Sequence, residues 1–198
     1  MIVLSKYKES LHTKPIITKA ITQFFLFGAG DLLCQIFEKT ALKKKTKKFD
    51  FLRIFKQASF GFLFAPYGHY HFCKIIPFFF PRKIGQNANL LVLKQTTYDQ
   101  TIHASFFTIV FYFWIGLLNS KKSSEIMSDI KLKFLPTMIE NWKIWPLAMI
   151  INYKYIPPQY SLLYTNIIGL FWMTYLSYLQ NIRFAKPSLD KPILLLKK

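Results

Sequence analysis

Four long apolar stretches, each broken by only a few polar residues, constrain this chain more than any other feature. They run from Ile16 to Phe37, Ala58 to Phe80, Gln100 to Leu118 and Ser161 to Leu179. At about 1.5 Å rise per residue, a helix of each length approaches or exceeds the roughly 30 Å of a bilayer's hydrocarbon core. In a chain of 198 residues, these stretches leave little length for a soluble domain. The reading is an all-α integral membrane protein with four transmembrane helices, organised as one membrane domain over 1–198. A basic lead covers residues 1–14, the four-helix bundle 15–180 and a basic tail 181–198.

Composition agrees with that reading. Hydrophobic residues make up 52% of the chain and aromatic residues 18%, too apolar to cover a soluble core with polar surface. The formal net charge of +18 comes almost entirely from lysine, with arginine only at Arg53, Arg82 and Arg183. These lysines are spread over every loop, the pattern of charge flanking membrane spans. Nucleic-acid binding would need a basic folded face, so no nucleic-acid partner is expected. The bilayer itself is the expected partner.

Pro15 suits the first turn of a helix that carries the first span. A lysine run from Lys43 to Lys48, broken by Thr46, forms the next loop. Asp50 and Arg53 open the second span, and Pro66 with Gly68 predicts a kink or break inside it. Thr97 and Gln100 have capping-box spacing, which predicts a helix start near Asp99. From Glu125 to Trp142, Ile126, Ile130, Phe134, Leu135 and Met138 recur at helical spacing. They predict an amphipathic interfacial helix between the third and fourth spans, with Trp142 and Trp145 in the headgroup belt. Residues 146–160 hold Pro146, Pro157 and Pro158 and lead into the last span.

Asp31 is the sharpest anomaly, because an acid deep in a span costs roughly 2.5–3.5 kcal/mol on insertion scales. At about 100° per residue, Gly28, Gln35 and Glu38 share its side of the helix. Such a stripe faces the bundle interior or a watery path. It is either a pore lining or a buried group satisfied by a neighbouring helix. Asp99 reads as a helix cap favoured by the macrodipole or as a pore-mouth group, with His103 four residues on as its partner. His69, Gln100 and Asn166 complete the polar in-membrane set.

His69 and His71 form an HxH beside Pro66, but no acid or cysteine cluster is near in sequence. The expectation is histidines bonded to freed carbonyls, with no metal and no cofactor. Gly61 with Ala65, and Thr165 with Gly169, read as helix-packing surfaces. Cys34 and Cys73 fall in apolar stretches as buried small residues. FGAGD, Phe27 to Asp31, lies within a span and lacks full nucleotide-loop spacing. No nucleophile elbow or paired catalytic carboxylates occur, so no enzymatic activity is expected. The N-terminus has neither a signal peptide's apolar length nor a presequence's arginines, and the last residues, LLLKK, are not a peroxisomal signal. Targeting is expected to be internal.

Five blocks in order resemble one family. Pro15, Thr22, Gly30–Asp31 and Gln35 resemble its first-helix signature. Asp50, Arg53, Lys56, Gly61, Pro66 and His69 keep its next spacing, and Lys94 with Asp99–Gln100 is similar to its K…DQ motif. Trp142, Trp145–Pro146, Asn152–Tyr153 and Ile156–Pro157 resemble its W-x-x-W-P block, and Tyr175–Leu176–Ser177 its closing helix. The family is that of the peroxisomal membrane protein of twenty-two kilodaltons and the mitochondrial inner-membrane protein Mpv-seventeen. Departures occur at Met149, Ser161, His71–Phe72 and Ser105, where the family usually has Gln, Arg, Trp-Tyr and Pro. The resemblance implies four helices in the mitochondrial inner membrane, or alternatively a peroxisomal membrane. It also implies a weakly selective small-solute channel supporting organelle homeostasis, including mitochondrial DNA maintenance in some members. A homo-oligomer is one expected assembly. The alternative function is a non-transporting accessory or scaffold subunit of a larger mitochondrial inner-membrane complex.

Overall fold

Proline at a first helical turn loses no hydrogen bond, and Pro15 opens the first long helix of the chain. In the computed structural model, which describes residues 2–40 and 48–178, the regular elements among the described residues are all helical. Most of the lysine run (43–47) and the basic tail (181–198) lie outside the described residues. The basic lead is a helix, α1 (Ile2–Thr13), followed by α2 (Pro15–Thr40). Tyr7 Oη lies 3.3 Å from Thr22 Oγ1, and Thr18 Oγ1 donates to the Ser10 carbonyl at 3.0 Å, which ties α1 to α2.

Asp50 caps α3 (Phe51–Tyr70), its Oδ1 accepting the Arg53 N–H at 2.9 Å. The helix starts ahead of the apolar stretch and, against expectation, stays α-helical through Pro66 and Gly68. Its winding changes only at His71–Ile75, a π-helical turn that continues into α4 (Ile76–Phe79). Asn87 then caps α5 (Ala88–Tyr98), its Oδ1 accepting from the Asn89 and Leu90 N–H groups. A second π-helical turn, Asp99–His103, joins α5 to α6 (Ala104–Leu118). The expected helix start at Asp99 is therefore corrected. Thr97 and Gln100 sit in mid-helix, and the real cap lies twelve residues earlier than Asp99.

α7 (Ser123–Tyr155) is a single helix of 33 residues that passes through both Pro136 and Pro146. Residues 146–155 therefore extend it rather than link it to the last span. Its Ile126 and Ile130 pack in one cluster with Phe111, Tyr112 and Ile115 of α6, so the stripe read from sequence as membrane-facing meets protein. Tyr112 Oη and Thr137 Oγ1 lie 2.6 Å apart across the same contact. α8 (Pro158–Tyr178) closes the described chain. Among the described residues, two helices, Pro15–Lys39 and Ala88–Leu118, are long and apolar enough to cross a membrane.

Glycines set two of the closest approaches. A Cβ on Gly61 would stand 2.7 Å from the Gln23 carbonyl oxygen, and one on Gly116 would stand 2.7 Å from Ile126. Beside its apolar clusters the interior holds many polar groups, while large apolar side chains lie outside. Asp31, Gln57, His71, Asp99 and Asn152 are all 3% exposed or less, while Phe25, Leu63, Phe106, Leu147 and Phe171 are 44–70% exposed. Water would reverse that arrangement; hydrocarbon favours it.

Candidate functional site

Buried ionisable groups need partners, and the fold gathers them into separate clusters. On α2, Asp31, Gln35 and Glu38 meet the start of α3. Arg53 Nε stands 2.9 Å from Asp31 Oδ1, and its Nη2 3.0 Å from Glu38 Oε1. Gln35 donates to Asp31 Oδ2 at 3.0 Å and to the Asp50 carbonyl at 2.9 Å, and its Oε1 accepts the Asp50 N–H at 2.8 Å. One guanidinium thus serves two carboxylates, and one carboxamide closes the remaining loop backbone. This cluster clamps α2 to α3.

Eight and twelve residues before Asp31, Gln23 and Lys19 continue the same stripe at four-residue spacing. Lys19 Nζ lies 2.9 Å from His69 Nδ1, so His69 pairs with a lysine rather than with a freed carbonyl. Lys19 is buried all the same, at 4% exposed.

Gln23 opens a different site. Its Nε2 donates to Asn166 Oδ1 of α8 at 3.1 Å, on the wall of a cavity of about 100 Å³. All the long helices contribute to that wall: Gln23 and Phe27 from α2, Phe64 and Gly68 from α3, Phe107 from α6, Asn141 and Trp145 from α7, Thr165 and Gly169 from α8. Asp99, Gln100 and His103 reach it from the second π-helical turn. With about 30 Å³ per water in the liquid, the space suits a few waters or one small solute. Gln23 Oε1 and Trp145 Nε1 are buried on this wall without a protein hydrogen bond. Each such group costs about 1–3 kcal/mol unless something polar meets it, so the wall offers an acceptor and a donor to the cavity's contents.

Asp99 anchors the polar end of the cavity. His71 Nε2 stands 3.1 Å from its Oδ1 and His103 Nδ1 3.2 Å from the same atom. Tyr153 Oη donates to Oδ1 at 3.0 Å, and Gln100 Nε2 to Oδ2 at 2.8 Å. Asn141 in turn donates to Gln100 Oε1 at 3.0 Å, and Trp142 Nε1 to the Gln100 carbonyl at 3.2 Å. Both π-helical turns supply this group, His71 from the first and Asp99, Gln100 and His103 from the second. His103 does pair with Asp99, but the carboxylate is 3% exposed and far from a helix end, so the cap reading is corrected.

Of the polar residues singled out in the sequence, Asp99, Gln100, His103 and Asn166 reach the cavity wall. Asp31 and Glu38 face Arg53 instead, and Gln35 bonds Asp31 and the Asp50 backbone. Trp145 lines the cavity, Asn152, seven residues on, is fully buried, and Lys94 is exposed. Gly169, read as a packing residue, has nothing within 4 Å of an added Cβ and forms open wall. The sequence reading missed Lys19, Gln23, Asn141 and Tyr153. The first two were visible as a backward extension of the Asp31 stripe.

Relatives carry the same overall length. The Mpv17 / PMP22 family model matches residues 116–177. Peroxisomal membrane protein 2 of Bos taurus is 30% identical over 178 residues, 89% of this chain and 88% of the relative. PXMP2/4 family protein 4 of Dictyostelium discoideum is also 30% identical over 178 residues, covering 89% and 92% of the two chains. Protein SYM1 of Saccharomyces cerevisiae is 29% identical over 180 residues, 90% of each chain. No solved structure matches the chain. The polar-cored helical bundle described above belongs to the Mpv17 / PMP22 family of membrane proteins.

Proposed function

We propose that this chain is a weakly selective channel for small polar solutes in an organelle membrane. The observation that carries the reading is the cavity shared by α2, α3, α6, α7 and α8, whose wall mixes aromatic faces with Gln23, Asp99, Gln100, His103, Asn141 and Asn166. Polar groups so placed cost free energy in a dry bundle and are matched by a watery content. The four membrane helices are α2, α3 with its continuation, α5–α6 and α8, while α7 supplies the remaining wall. A cavity of about 100 Å³ holds one small solute, and its passage through the bundle needs modest widening, which assembly of several copies or a shift at the π-helical turns would provide.

One of the relatives is named a peroxisomal membrane protein, which supports an organelle membrane for this chain. The mitochondrial inner membrane is the compartment we assign, and imaging of the tagged chain against markers for both organelles tests it. The channel itself is tested by incorporating purified, folded protein into planar bilayers. Stepwise current supports the reading. Silence from folded protein would assign it instead to an accessory subunit without transport.

A further inference from the structure

We propose that His71, Asp99 and His103 form a binding site for a divalent transition-metal ion. The nearest ligand atoms of the three residues all lie within 4.8 Å of one another. Tetrahedral zinc with bonds of about 2.0–2.1 Å holds its ligand atoms about 3.3 Å apart. The distances from Asp99 Oδ1 to His71 Nε2, 3.1 Å, and to His103 Nδ1, 3.2 Å, match that spacing, and the two imidazole nitrogens, within 4.8 Å of each other, would close to it around the ion. Two neutral imidazoles and one carboxylate make a borderline donor set, suited to zinc, cobalt or nickel rather than to magnesium or calcium.

Three features favour an ion over a purely hydrogen-bonded cluster. Three groups crowd Asp99 Oδ1: the Tyr153 hydroxyl, which donates at 3.0 Å, the His71 Nε2 at 3.1 Å and the His103 Nδ1 at 3.2 Å. A metal at their focus turns both imidazoles into ligands and leaves Tyr153 as the one donor. Next, the carboxylate is 3% exposed, and among the described residues its ion-pair partners are the two histidines, with no lysine or arginine in the group. A cation supplies the charge that the bundle interior lacks. Finally, the carboxylate is oriented from behind, as a ligand to a metal would be: Gln100 holds Asp99 Oδ2 at 2.8 Å and is itself held by Asn141, whereas the buried His71 Nδ1 has no hydrogen-bond partner. Asp99 and His103 also line the cavity, so a fourth position opens toward a water or an anionic group of a solute.

This site is independent of the channel reading, because a silent bundle would bind the ion equally well. The full chain, purified in detergent and stripped with chelator, is titrated with zinc chloride by calorimetry and with cobalt chloride by visible absorption. One equivalent per chain is expected, with the visible bands of four-coordinate cobalt. His71→Gln and His103→Gln should each weaken binding about a hundredfold or more, since even supporting residues cost 10–100-fold. His69→Gln, outside the cluster, should leave it unchanged. Thermal unfolding of the stripped proteins establishes that each variant is folded; should His71→Gln fail, the partly exposed His103 decides alone. Absence of saturable binding by folded wild type, or binding indifferent to His103→Gln, overturns the proposal.

Discussion

His71 and Asp99, 28 residues apart in sequence, meet with Nε2 3.1 Å from Oδ1 because each begins a π-helical turn. The extra residue in each turn re-aims the side chains that follow, and π-helical turns recur at functional sites for that reason. Here the two turns face one another across the bundle. The His71 and His103 rings stack with centroids 3.8 Å apart, and Tyr153 closes the group from α7.

That closure is separable from folding. Tyr153→Phe removes one donor from Asp99 while keeping the ring that packs near Phe72. Interhelical hydrogen bonds within membranes average about 0.6 kcal/mol and reach about 1.7 kcal/mol. The expected loss lies in that range, read from reversible unfolding in mixed micelles with sodium dodecyl sulfate.

Removing Arg53 should cost much more. Arg53→Gln leaves Asp31, 1% exposed, and Glu38 without their shared counter-charge. Breaking one side of a buried ion pair costs about 3–5 kcal/mol. Adding Asp31→Asn to the same chain should restore part of the loss, because one of the two carboxylates that Arg53 balanced is then neutral. Unfolding midpoints of the single and double variants check both statements.

Two glycines should respond oppositely to the same change. Gly61→Leu drives a side chain into the Gln23 backbone, 2.7 Å from where its Cβ would stand, and backbone cannot give way as a flexible side chain can. The expected destabilisation is at least about 1–3 kcal/mol, the usual cost of overpacking. A Cβ on Gly169 would meet nothing within 4 Å, and Gly169→Leu should stay within about 0.5 kcal/mol of wild type. Paired unfolding curves distinguish the two.

Local chemistry explains what was legible beforehand. Pro15 marks the start of α2, Asp50 caps α3, and the i, i+4 placement of Asp31 and Gln35 shows one buried face, because each signal acts within a single turn. Arg53 as the partner of Asp31 was not legible, since it depends on how α2 and α3 dock. At Asp99 a local signal misled: the spacing of Thr97 and Gln100 imitates a helix start, but Asn87 had already begun that helix. Pro146 misled likewise, because a long helix packed against neighbours tolerates a proline that would end a solvated one. The cavity was the least visible feature. Its wall draws a few residues from each of five helices, and no sequence period reports that convergence.

The central claim is that solutes pass by way of this cavity, and single-channel current through Gly169→Phe beside wild type tests it most directly. Gly169 lines the cavity and a Cβ there meets nothing within 4 Å, so the added ring should narrow the passage, with thermal unfolding checking that the variant folds. A severalfold fall in conductance is expected from Gly169→Phe, with Asp31→Asn, away from the wall, unchanged. Equal conductance in wild type and Gly169→Phe, or no current from folded wild type, would contradict it.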